Sequence, residues 1–114
     1  MISEQHLAQE FLTVIDNFYP KVGAVLHHCY IKVIETYIGR IHKRLYYLGI
    51  YCSDATFAEV EAQRDVLREV AENMGLVEVV CINATRLLRD PRSTLKDLSP
   101  RLWLELYWIS TKAK

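Results

Sequence analysis

The sequence is poor in the features that announce a chemistry. Its four glycines stand singly, so no Gly-rich loop is available to cradle a phosphate. There is no Gly-x-Ser-x-Gly elbow to present a hydrolase nucleophile, and no Glu-x-x-His pair of the kind helical bundles use to hold iron or manganese. Three cysteines, Cys29, Cys52 and Cys81, are an odd number at wide spacing, which fits neither a disulfide framework nor a zinc site. Neither sign of charge dominates. Lys and Arg number 14 and Asp and Glu number 14, which argues against a global basic field for nucleic acid and against a polyacidic tail. No run approaches the roughly 18 apolar residues of a membrane span; the longest candidate, 102–109, is short and contains Glu105. Glu4, Gln5, His6, Gln9 and Glu10 interrupt any early apolar run, so no signal peptide is read and the expected setting is the cytoplasm.

What is present is apolar substance. Hydrophobic residues make up 51% of 114 residues, too many for a disordered chain and enough for one domain spanning 1–114. A chain of this size buries roughly two-thirds of its unfolded surface. An apolar excess in so small a body leaves some for a second copy or a partner to cover.

Helical periodicity organises most of the chain. Ser3 is placed to cap a first helix, with Ile2 and Leu7 as a hydrophobic staple, and Pro20 ends it. From about Lys21 to Leu48, turning 100° per residue gathers Leu26, Tyr30, Val33, Ile34, Tyr37, Ile41, Leu45 and Leu48 on one side. That predicts a long helix whose apolar arc, about half the circumference, exceeds the roughly 100° of a simple amphipathic helix. Thr56 and Glu59 make a capping box for a third helix, and Gly75 is suited to close it. The segment 76–89 includes the β-branched run Val77, Val79, Val80 and Ile82. Helix fits the longer window better, because a lone strand has nothing to pair with. Arg92–Leu98 reads as a loop or short turn; Ser99 and Pro100 then start a last helix, with Leu98 and Trp103 as a second staple and a frayed tail from Lys112. The expected fold is all-α: a compact bundle of four to five helices with one long central helix, forming a homodimer through its last helix and the wide face of the long one.

Candidates for chemistry are few. His27 and His28 point about 100° apart on a helix and cannot share a metal. Glu59, Glu61, Asp65, Glu69 and Glu72 alternate with Arg64 and Arg68 on a face that reads as solvated. Cys29 and Cys81 read as small buried hydrophobes, while Cys52 sits in an apparent loop and is the most exposed to reaction. Tyr30, Tyr37 and His27 are candidates to line a small-ligand pocket. No catalytic residue, metal or cofactor is expected.

Two surfaces remain. The last helix carries Trp103, Leu104, Tyr107 and Trp108 and is apolar all round, with Val79 and Ile82 extending the patch. Trp and Tyr favour binding hot spots because they bury much area yet keep a polar handle. The second surface is basic: Arg40, Lys43 and Arg44 in one cluster, Arg86, Arg89 and Arg92 in another, with Lys96 and Arg101 beyond. The function expected from the first is that of a small regulatory or adaptor protein acting on another protein. An antiactivator or anti-sigma-type inhibitor that covers an apolar surface of a transcriptional regulator is an example. The second surface gives the alternative, a nucleic-acid-binding protein using the clusters at 40–44 and 86–101.

Overall fold

Tyr30, Ile31, Val33, Ile34, Thr36 and Tyr37 form a run of β-branched and aromatic residues, and this run decides the architecture. In the computed structural model, which describes residues 3–112, helices α1 (Glu4–Phe18) and α2 (Pro20–Leu26) lead into strand β1 (Tyr30–Ile38). A 3-10 turn at Gly39–Ile41 returns the chain as β2 (Lys43–Cys52). Helices α3 (Asp54–Ala62) and α4 (Arg64–Asn73) cross over to β3 (Val79–Asn83). The short helices α5 (Ala84–Arg89) and α6 (Leu95–Leu98) precede α7 (Pro100–Lys112). Strand order is β1-β2-β3, with β1 antiparallel and β3 parallel to β2.

The expected all-α bundle is overturned: the protein is mixed α/β. The long central helix does not exist, and neither does the wide helical face assigned to a dimer contact. Its place is taken by α2 and the β1–β2 hairpin. The apolar arc was too wide for a helix because most of its residues, from Tyr30 to Tyr37 and at Leu45 and Leu48, lie in strands, and strand residues alternate between two faces, both of which meet helices here. The second correction follows from the first. Residues 79–83 form a strand because the hairpin supplies β2 as the missing partner.

Alternation on β2 sorts the core into two. Leu48, Ile50 and Cys52 point with Val33 and Val79 into a cluster against α1–α4, joined by Phe11, Ile15, Val60 and Leu67. Tyr51 points the other way, with Tyr30 and Ile82, into a smaller cluster closed by Ala84 and Leu106. Gly49 shares that second face. A Cβ there would lie 3.0 Å from the Ile34 side chain and 3.5 Å from the Tyr51 ring, so glycine lets these two close over the strand.

Local signals place the helix ends. The Ser3 hydroxyl accepts from the His6 N–H at 3.1 Å, while the staple partner Ile2 lies outside the described residues, as do Ala113 and Lys114 of the tail. The third helix begins at Asp54, before the Thr56 box, and breaks at Gln63 into α3 and α4. Leu98 is 80% exposed and does not staple the start of α7. At the end of α4, the Gly75 N–H donates to Glu72 O and the Leu76 N–H to Ala71 O, a Schellman closure with Gly75 at φ +86°. Nothing lies within 4 Å of a Cβ added there, so Gly75→Ala tests the backbone alone. It should lower unfolding free energy by about 1 kcal/mol in chemical denaturation.

Beyond that turn, Arg68 on α4 grips Glu78, Nε to Oε1 at 3.0 Å and Nη2 to Oε2 at 3.3 Å, and the Val79 N–H donates to Oε1 at 2.9 Å. The Val79 N–H and the Arg68 guanidinium hold the Glu78 carboxyl below its ordinary range. A depressed native pKa favours the fold above the unfolded value and ceases to do so as pH falls through the native one. Glu78→Gln should therefore melt below the wild type near neutral pH, and the two melting curves should converge in acid.

Candidate functional site

Helix α7 is docked by one stripe and displays the rest. Leu106 is fully buried, and Leu102 and Ile109, one turn to either side, pack in the same cluster. The opposite crest carries Leu104 and Trp108, 60% and 57% exposed, with Tyr107 beside them at 51%. Each flank of the helix borders a cleft. Arg101 and Glu105 face one of about 540 Å³, bounded by α1, by Cys29 and by the start of β1 as far as Val33. Trp103 and Tyr107 face the other, of about 550 Å³.

The second cleft sits where the parallel strands β2 and β3 end, the place where open α/β sheets receive ligands. Its floor is held by bonds between the two strand ends. The Asn83 amide donates to Asp54 Oδ1 at 2.9 Å, and the Asp54 N–H donates to Thr85 Oγ1 at 3.0 Å. Asn83 also caps α5, its Oδ1 accepting from the Arg86 N–H at 3.0 Å. Thr85 reaches Ser110 on α7 at 3.4 Å. One wall is aromatic: Trp103 and Tyr107 stack with ring centroids 5.3 Å apart and planes 18° from parallel. The Lys96 ammonium lies 5.0 Å from the Trp103 ring. Leu88 and Arg89 of α5 complete the lining.

The residues singled out in the sequence separate by position. Trp103 and Tyr107 line the cleft, and Leu104 and Trp108 form the crest above it. Val79 is fully buried among α1–α4 residues, which leaves it no surface to offer a partner, and Ile82 packs beneath α7 in the smaller cluster. Arg86, Arg89 and Arg92 are exposed, and Arg89 lines the cleft. Arg40, Lys43 and Arg44 stand at the hairpin tip, where Arg44 pairs with Glu35 at 3.3 Å. Lys43 and Arg44 begin β2 and the second cluster follows β3 beyond the other end of β2, roughly 25 Å along the strand, so the two do not form one continuous surface. Tyr30, Tyr37 and His27 are also apart: Tyr30 borders the first cleft, Tyr37 meets His42 at the tip, and His27 pairs with Asp16 at 3.0 Å. Asp54, Thr85, Ser110 and Thr111 were missed, because only the sheet topology brings them together.

The cysteines also correct the sequence reading. Cys52 is the fully buried one, at the end of β2, and Cys29 is only partly buried, on the rim of the first cleft. Among the described residues, no group of three His, Cys, Asp or Glu side chains is arranged to hold a metal ion, and no helix is long and apolar enough to cross a membrane.

The two sides of α7 should behave differently on truncation. Leu106→Ala removes a fully buried side chain and should cost about 2–4 kcal/mol of stability. Leu104→Ala should stay within about 0.5 kcal/mol of wild type. Equal losses in chemical denaturation would mean that the crest is structural. No family model, curated protein or solved structure matches the chain.

Proposed function

We propose that the chain is a protein-interaction module of the regulatory or adaptor kind. Its docking surface is the crest of α7 and the aromatic cleft beside it, and its occupant is an acidic, amphipathic segment of another protein. The observation that carries this reading is the exposure of Leu104, Tyr107 and Trp108 on a helix anchored from its far side by Leu106. Monomeric surfaces scatter large apolar residues singly; three on one helix beside a cleft have the composition of a hot spot.

Charge selects the occupant. Between residues 84 and 112 there are six Lys and Arg against three Asp and Glu, although the whole chain is neutral. Arg86, Arg89, Arg92, Lys96 and Arg101 are all exposed there. Carboxylates flanking an apolar anchor would meet Arg89 and Lys96 while the anchor enters between Trp103 and Leu88. A second copy docking through the same patch would set basic rim against basic rim, since a two-fold contact is self-complementary. A cytoplasmic setting, where thiols are kept reduced, belongs to this reading.

Panning a random-peptide display library against the immobilised full chain tests the proposal. The expected winners combine a large apolar or aromatic residue with neighbouring Asp or Glu. Their affinity should fall by roughly 2 kcal/mol with Tyr107→Ala, as hot-spot truncations do, and should fall also with Leu104→Asp. Selection of no such class, or binders indifferent to both substitutions, would overturn it. Two further outcomes replace the occupant: a concentration-dependent dimer in light scattering points to a second copy. Oligonucleotide binding that high salt abolishes and Leu104→Asp spares points to nucleic acid.

A further inference from the structure

Cys29 and Cys52 lie 23 residues apart in sequence, yet their sulfurs are 3.7 Å apart. The β1–β2 register explains the meeting. Tyr30 pairs with Tyr51, so one step further the antiparallel ladder sets Cys29 opposite Cys52. Directly opposed antiparallel residues have Cα atoms about 4.5–5.5 Å apart, inside the roughly 4.4–6.8 Å range that a disulfide spans. Bond formation at about 2.05 Å needs the sulfurs to close by less than about 2 Å.

The two thiols differ in access and acidity. Cys29 opens on the cleft between α1, β1 and α7, whereas Cys52 is sealed beneath it in the larger core. Hydrogen bonding from Cys52, with a further contribution from Thr56, lowers the Cys29 pKa against the opposing effects of burial and Glu59. The Cys52 pKa is raised, so Cys29 is the thiol of the pair that ionises first. Cys81 shares the same sheet face, one strand along, since Ile50 pairs with it. Burial pushes its thiol up to about 11.

We propose that Cys29 and Cys52 form a reversible redox site that takes small hydroperoxides, with Cys29 as the attacking thiolate and Cys52 as the resolving thiol. The Cys29 sulfur attacks the peroxide, the O–O bond breaks, and the departing alkoxide or hydroxide takes up a proton. The Cys29 sulfenic acid that results is attacked by Cys52. The S–S bond forms as the S–O bond breaks, and the hydroxide leaves with the Cys52 proton as water. The peroxide is reduced by two electrons, one from each sulfur. Two equivalents of a low-molecular-weight thiol restore the dithiol by exchange. The site is independent of the docking surface on α7.

The test uses the reduced full-length chain with stoichiometric hydrogen peroxide, alkylation of the remaining thiols, intact mass and peptide mapping. The expected product is a monomer two hydrogens lighter, with Cys29 joined to Cys52 and Cys81 alkylated. In Cys52→Ala, Cys29 should accumulate as a sulfenic acid trapped by dimedone. In Cys29→Ser, peroxide consumption should fall by roughly tenfold or more. The wild-type mapping needs no substituted chain, so a variant that misfolds does not blunt it. Three alkylated thiols, a disulfide through Cys81, or linkage only between chains would each overturn the proposal.

Discussion

Strand β2 is hydrogen-bonded along both edges and, from Leu48 to Cys52, buried on both faces. Every other element takes its position from this constraint. Backbone N–H and C=O groups removed from water have to be paired, so a two-sided strand obliges β1 and β3 to lie beside it. Side-chain alternation then divides the apolar residues between α1–α4 on one face and α5–α7 on the other. The strand also delivers three consecutive residues with separate roles: Cys52 in the larger core, Ser53 buried before α3, and Asp54 on the floor of the aromatic cleft.

Zero net charge conceals an uneven distribution. The acidic residues collect on α3 and α4, where Glu59, Glu61, Asp65, Glu69 and Glu72 outnumber Arg64 and Arg68. The cations collect from α5 onward, beside the exposed aromatic residues. The large apolar content has a similar explanation. A three-stranded sheet with short covering helices does not enclose it all: Leu104, Tyr107 and Trp108 are exposed together on α7, and Phe18, Tyr19, Tyr37, Val77 and Leu98 singly or in pairs elsewhere. Leu102, Leu106 and Ile109 seat that helix in the smaller cluster, while Leu104 on its far side stays exposed.

Legibility in the sequence followed the range of the interactions involved. Where a few neighbouring residues decide, the reading held: Ser3 caps α1, Pro20 separates α1 from α2, Gly75 closes α4, and Pro100 starts α7. Where pairing across the chain decides, it failed. Residues 30–48 satisfy a helical arc and a strand alternation alike, and only the width of that arc hinted at two buried faces. Once the hairpin was read as helix, 79–83 had no visible partner, so one error enforced the next. The site divided in the same way. Trp103, Leu104, Tyr107 and Trp108 stood out because aromatic and apolar residues crowd one short helix. Thr85, Asp54 and Ser110 did not, because each is an ordinary polar residue until β2 and β3 end side by side.

The cysteines show the same limit at the scale of one atom. A thiol's reactivity depends on its access and on what can donate to its sulfur, and at a strand end neither is decided by the adjacent residues. Cys52 looked exposed because Ser53 and Asp54 after it have the composition of a loop, but those residues begin a helix and the sulfur points into the core. Cys29 looked buried because apolar residues surround it in sequence. Alternation turns Tyr30 to the opposite sheet face, while α1 and α7 leave open the cleft that Cys29 borders. The decisive neighbour of each cysteine is therefore the other, reached across the ladder. The same register that satisfies the backbone places the two sulfurs 3.7 Å apart, one in the core and one on the rim of a cleft.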